Sequence, residues 1–160
     1  MSKAVLIACM DCRHDGKITD ALRTSAQVDH HFYHITRAGG AGVLSKGFSE
    51  RANGVLFETN AAIEHLGASE VFITVHGTSE HDEKGCGGYA LCGHGHAYET
   101  PDTSREFSYD ELRNSAARLR QEGVTLPIRA FYMTFGPHGE NFAEEVPLED
   151  AGEIIAIATQ

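Results

Sequence analysis

The chain has little of what several protein classes require. Tryptophan is absent, methionine occurs three times, and Lys and Arg number 13 against 23 Asp and Glu. This shortage of positive charge leaves a formal net charge of −10, which counts against a nucleic acid or an anionic membrane surface as partner, because both are polyanions. Long hydrophobic runs are also missing near the amino terminus. The one apolar run there, Ala4 to Met10, ends at Asp11 after seven residues, too short for a secretion-signal core with its cleavage site and far too short to span a bilayer. A cytoplasmic location is therefore expected. Cysteine is sparse, with four residues at 9, 12, 86 and 92. A compact chain of 160 residues buries roughly 70% of the surface its unfolded form exposes, so one core holds it without disulfide staples. Thiols in the cytoplasm stay reduced, and these four are read as ligands or reactive groups.

What is present is an ordinary globular composition, 41% hydrophobic and 22% charged, which argues against a disordered or membrane-spanning chain. Against that background ten histidines stand out, a residue that ligates metals and titrates near neutral pH. Residues 1–160 read as a single α/β domain.

The hydrophobic pattern alternates between strands and helices. Ala4 to Ala8 is continuous and apolar, as in a strand buried on both faces. Ile18, Ala21, Leu22 and Val28 suggest a short helix, and His31 to Thr36 a second strand. Glycines follow at 39, 40 and 42. Phe48 to Leu66 has helical spacing and Gly67 is a plausible stop. Val71 to Val75 predicts the third strand. Residues 76 to 100 form a Gly/His-rich stretch without period, which in a compact domain is more often functional than linker. A helix is expected to restart at Ser108, where Ser108 and Glu111 have capping-box spacing. Pro127 to Phe135 predicts a fourth strand, the acidic stretch from Glu140 to Glu153 a solvated face, and Ile154 to Ala158 a short terminal strand. The expected architecture is a central, mainly parallel sheet of four to five strands flanked by helices. In such a sheet the loops at the carboxyl ends of the strands converge on one rim, bringing the Cys9 cluster, the Arg37 to Gly42 turn and the His76 to His96 stretch side by side.

Cys9 ends the first predicted strand, His76 ends the third, and Cys86 lies in the loop beyond. Two thiolates and an imidazole make a tetrahedral zinc site with the fourth position open, the pattern of a catalytic zinc. Taken singly, each residue is as well explained as a buried core thiol or a strand-end histidine; the argument rests on their conjunction. Cys9 and Cys12 also have the spacing of a redox pair, although that motif has no use for the interleaved Asp and Arg. Cys92, His94 and His96 admit a second metal site, proton shuttles or a solvated loop. The glycine turn admits an anion cradle or close packing beside the site, and His30, His31 and His34 read as surface or interface positions.

Cys9-Met-Asp11-Cys-Arg13 resembles the Cys-x-Asp-x-Arg signature of the β-class carbonic anhydrases. Arg37-Ala-Gly-Gly40 resembles their Arg-Asn-Ala-Gly turn, Glu50 to Leu66 their long helix, and Val71 to His76 followed by Cys86-Gly-Gly88 their strand and His-x-x-Cys-Gly-Gly. Ile128 to Gly139 resembles their last core strand. The resemblance implies zinc held by Cys9, His76 and Cys86. Arg13 would pair with Asp11 and hold it off the metal, so that water takes the fourth position. It implies zinc-dependent hydration of carbon dioxide to bicarbonate by a zinc-bound hydroxide that Asp11 orients, with a nearby His carrying the proton out to buffer. A homodimer or dimer of dimers is implied as well. Three departures accompany these matches. Nine residues separate His76 from Cys86 where the family has two, so His81 and Cys92 stay open as alternative ligands. The turn lacks the family's Asn, and only eight residues precede Cys9, leaving no place for the family's N-terminal arm and an upstream Gln. A carbonyl sulfide or carbon disulfide hydrolase of the same lineage, and a non-catalytic zinc-binding or thiol-redox protein, are the competing expectations.

Overall fold

The computed structural model describes residues 2–10, 16–45, 50–77, 101–136 and 140–148. Five strands form one sheet: β1 (Lys3–Cys9), β2 (His31–Arg37), β3 (Glu70–His76), β4 (Ile128–Phe135) and β5 (Asn141–Val146), in the spatial order β2-β1-β3-β4-β5. The first four run parallel, and β5 turns back antiparallel along β4. Strands buried on both faces read as unbroken apolar runs. Accordingly β1 and β3 are buried along nearly their whole length, whereas edge strand β2 has a single buried residue, Ile35.

Helices α1 (Lys17–Thr24), α2 (Glu50–Leu66) and α3 (Pro101–Gln121) flank the sheet, and a 3-10 turn spans Gly40–Leu44. Two hydrophobic clusters divide the core. One joins Val5, Ile7, Cys9, Ile73 and Val75 to the turn, α2 and α3; the other joins Leu6, Phe72, Phe131, Met133 and Phe135 to α1. Among the described residues no helix is long and apolar enough to cross a membrane.

Three sequence expectations are corrected. Helix α1 ends at Thr24 rather than near Val28, because Gln27 takes a left-handed φ of 53° that a right-handed helix does not accommodate. Val28 stays in the core through its backbone N–H, which donates to Leu22 O at 2.9 Å. Helix α3 starts at Pro101, not Ser108, since proline fits a first helical turn whose N–H groups lack partners anyway. Ser108 is then an interior, fully buried residue and caps nothing. The acidic stretch contributes β5, whose Ala143 and Val146 are buried and whose carboxylates pair with arginines, Glu144 with Arg105 and Glu145 with Arg129. The expected strand at Ile154 to Ala158 lies outside the described residues.

Candidate active site

The parallel pairing of β1 with β3 sets Ala4 opposite Glu70 and Ile7 opposite Ile73, and the two strands end at Cys9 and His76. Two residues of metal-ligand type are thus delivered to the carboxyl ends of adjacent strands, with His76 one residue beyond the position that this register, carried on, sets opposite Cys9. Both are buried, Cys9 at 7% exposure and His76 at 1%. Successive residues of a strand point to opposite faces. Cys9 and Val75 belong to the cluster under α2 and α3, so His76 points the other way, where its ring lies 6.0 Å from that of Phe135. An ion shared by the two side chains would therefore sit beyond the strand ends, at the rim.

The Arg37 to Gly42 segment covers that rim. Cys9 pairs in register with Arg37, and Met10 N–H donates to Arg37 O at 3.1 Å. The Arg37 guanidinium donates to Glu58 of α2 at 2.6 Å and to Thr36 O at 2.8 Å, anchoring the segment where it leaves β2. Gly40 has φ +58°, and a Cβ there would lie 2.6 Å from Thr74 O and 3.1 Å from Cys9 N. Only glycine permits this approach, so close packing accounts for the glycine at position 40. Thr74 in turn donates its hydroxyl to Ile7 O at 3.2 Å, tying β3 to β1 one turn of pleat below the rim. On the other flank, a Cβ on Gly77, directly after His76, would collide with Tyr132 Oη and lie 2.6 Å from Ser104 Oγ. Burial pushes the Tyr132 phenol above its ordinary value, against the opposing pull of its hydrogen bond with Ser104.

Of the residues the sequence singled out, the structure places Cys9 and His76 at the ends of adjacent strands with their side chains on opposite faces of the sheet, and the Arg37–Gly42 turn beside Cys9. Asp11, Arg13 and Cys86 lie outside the described residues, as do Cys12, His81, Cys92, His94 and His96. Among the described residues no group of three potential metal ligands occurs. The two donors in place suit zinc in kind, a thiol and an imidazole at the mouth of a parallel sheet. Sequence reasoning missed Thr74, Ser45, Ser104, Ser115 and Tyr132, and it gave Glu111 the wrong task. The available signal was the spacing of Ser104, Ser108, Glu111 and Ser115, at intervals of four, three and four, which places four polar residues on one face of a helix.

No family model matches the sequence, and no curated protein matches it. Solved structures do. The chain is similar to the β-carbonic anhydrase CafA of Aspergillus fumigatus, with a TM-score of 0.62 at 11% identity over 98% of this chain and 80% of that one. The fold is that of the β-carbonic anhydrases. A carbonic anhydrase from Glaciozyma antarctica is also similar, with a TM-score of 0.48 at 17% identity over 88% of this chain and 80% of that one. At 11% identity the likeness to CafA speaks for the mixed five-stranded sheet and its flanking helices; the chemistry has to be argued from the rim.

Proposed function

We propose that the protein is a zinc-dependent enzyme that reversibly hydrates carbon dioxide to bicarbonate. The observation that carries this reading is the delivery of Cys9 and His76 to neighbouring strand ends, beneath a glycine turn that touches the backbone of Cys9, on a carbonic anhydrase fold. Cys9, His76 and Cys86 would hold the ion. Zinc bound there would supply a Lewis acid that makes water reactive near neutral pH. Arg13 would pair with Asp11 and keep that carboxylate from competing for the metal. Asp11 would accept a hydrogen bond from the attacking water and orient it toward the carbon. The released proton would leave through one of the histidines, whose ordinary pKa suits transfer to buffer. The substrate is a small linear molecule, the assembly a homodimer or dimer of dimers, and the compartment the cytoplasm.

The test is stopped-flow hydration of carbon dioxide by zinc-loaded protein between about pH 6.5 and 9, a range set by the usual acidity of such sites, with zinc content measured in parallel. We expect about one zinc per chain, lost in Cys9→Ser and in His76→Ala but retained in His81→Ala. The rate should rise with pH and collapse in Asp11→Asn. A zinc-replete protein without any rate above buffer would sink the assignment and direct the assay to hydrogen sulfide release from carbonyl sulfide. Loss of zinc in His81→Ala with retention in His76→Ala would move the second ligand into the loop.

A further inference from the structure

Resting on that functional reading, the geometry points to Ser45 and Glu111 as positioning residues that hold the glycine turn on the metal site. Helix α3 grips the turn from outside through two side chains one helical turn apart. Ser115 Oγ lies 2.7 Å from Ala41 O and 2.7 Å from Glu111 O. Ser45, which closes the 3-10 turn with its N–H on Gly42 O at 3.2 Å, places its hydroxyl 2.8 Å from Gly42 O and against the Glu111 carboxylate. Glu111 is only 6% exposed, an expensive place for a carboxyl group unless it is hydrogen-bonded. All five residues of the turn are buried. From the turn the contact passes to Gly40, which lies so near Thr74 O and Cys9 N that a Cβ on it would fall 2.6 and 3.1 Å from them. Glu111 therefore acts on Cys9 at one remove, through Ser45 and the turn. Its role in this arrangement is to fix where the Cys9 end of β1 lies relative to the end of β3. A helix face that needed only to cover the sheet would be served better by apolar residues, because a buried carboxyl contributes little net stability.

The test uses cobalt(II) in place of zinc, because the thiolate-to-cobalt absorption band and the cobalt dissociation constant report the Cys9 donor without any activity. Ser45→Ala and Glu111→Gln are each expected to weaken cobalt binding about tenfold, the low end of what groups supporting a ligand contribute, and to shift the band. Ser45→Thr, which keeps the hydroxyl, should restore both. Because the two residues act as one unit, the double variant should be no worse than the poorer single one. A Cys9-dependent band in the parent protein that folded Ser45→Ala and Glu111→Gln leave unchanged in position and affinity would overturn the positioning role alone. So would fully additive losses. Absence of any Cys9-dependent band in the parent protein would remove the metal site, and with it both this role and the proposed function.

Discussion

The two faces of the sheet are built by different means. Toward α2 and α3 the fully buried packing is mostly aliphatic, with Tyr132 its one buried ring, and polar groups are buried among it: Thr59, Ser104, Ser108, Glu111 and Ser115. Toward α1 it is aromatic. Phe72 and Phe131 stack at 5.9 Å with their planes only 11° apart, Phe32 meets Phe72 edge-on at 5.3 Å, and Arg129 lies over both inner rings at 5.4 and 5.1 Å. Hydrogen bonds are directional, so the first face fixes the position of a backbone turn. Ring packing is a matter of buried area and contact distance, so the second resists unfolding without dictating where a loop sits. Stability and positioning are thereby assigned to opposite sides of β1 and β3, and changes on the two sides should have different signatures.

The largest stability loss should come from the aromatic side. Phe72 is fully buried between two other rings, and Phe72→Ala should cost about 3–5 kcal/mol by removing transfer energy and leaving a cavity. In denaturant titrations the midpoint should fall accordingly, while protein that remains folded at low temperature keeps its metal content per chain. Loss of metal from folded Phe72→Ala protein would show that the two sides are not separable.

Gly40→Ala should show the reverse pattern. The left-handed φ of +58° and the backbone neighbour at 2.6 Å leave a methyl group nowhere to go, and strain of this kind costs of order 1–3 kcal/mol. Gly67 is the control: its φ is +72°, with nothing within 4 Å of a Cβ, so Gly67→Ala meets only the left-handed penalty of about 1–2 kcal/mol. Measured side by side, the Gly40 variant should lose metal affinity and hydration rate while the Gly67 variant keeps both. Equal site properties in the two would mean that the turn does not position Cys9.

The difference between the faces also decides what could be read from the sequence. The apolar runs Ala4 to Ala8 and Val71 to Val75 announced central strands because burial on both faces leaves no room for polar residues. Their ends announced Cys9 and His76, and observed Gly67, with φ +72°, follows α2 where a stop was expected. Illegible were the structures that depend on a partner distant in the chain. Ser108 and Glu111 carry a genuine local capping signal, overridden because Pro101 opens the helix earlier and Glu111 finds Ser45, 66 residues away. The acidic run reads as solvated until Arg105 and Arg129 are known to stand beside it. The alternation that sends Cys9 and His76 to opposite faces follows from strand period, but only once the register of β1 on β3 is known.

The smallest effect concerns the rim of the aromatic side and is read through pH. Arg129 makes two hydrogen bonds of 2.7 Å to the carboxylate of Glu145 while it lies over the rings of Phe72 and Phe131. The Glu145 carboxyl is held below its ordinary value, chiefly by the hydrogen bond from Arg129 and against a smaller opposing effect of burial. A depressed native value means that the folded state favours the ionised form. The stabilisation is therefore complete above the unfolded carboxyl value of about 4.3 and is lost as pH falls through the lower native one. Glu145 is about half exposed, so solvent screening limits the pair to ~0.2–1 kcal/mol. Glu145→Gln removes the charge and leaves Arg129 over the rings, which makes it a cleaner probe than replacing the arginine. Denaturant midpoints should put the variant below the parent at pH 7, and the gap should close on acidification as pH falls through the lowered native value, where the parent's own carboxyl becomes neutral. High salt at pH 7 should narrow it too. A gap that persists unchanged into acid would assign the loss to the shape of the side chain rather than to its charge, leaving the stacked rings and not the ion pair as what holds Arg129 on this face.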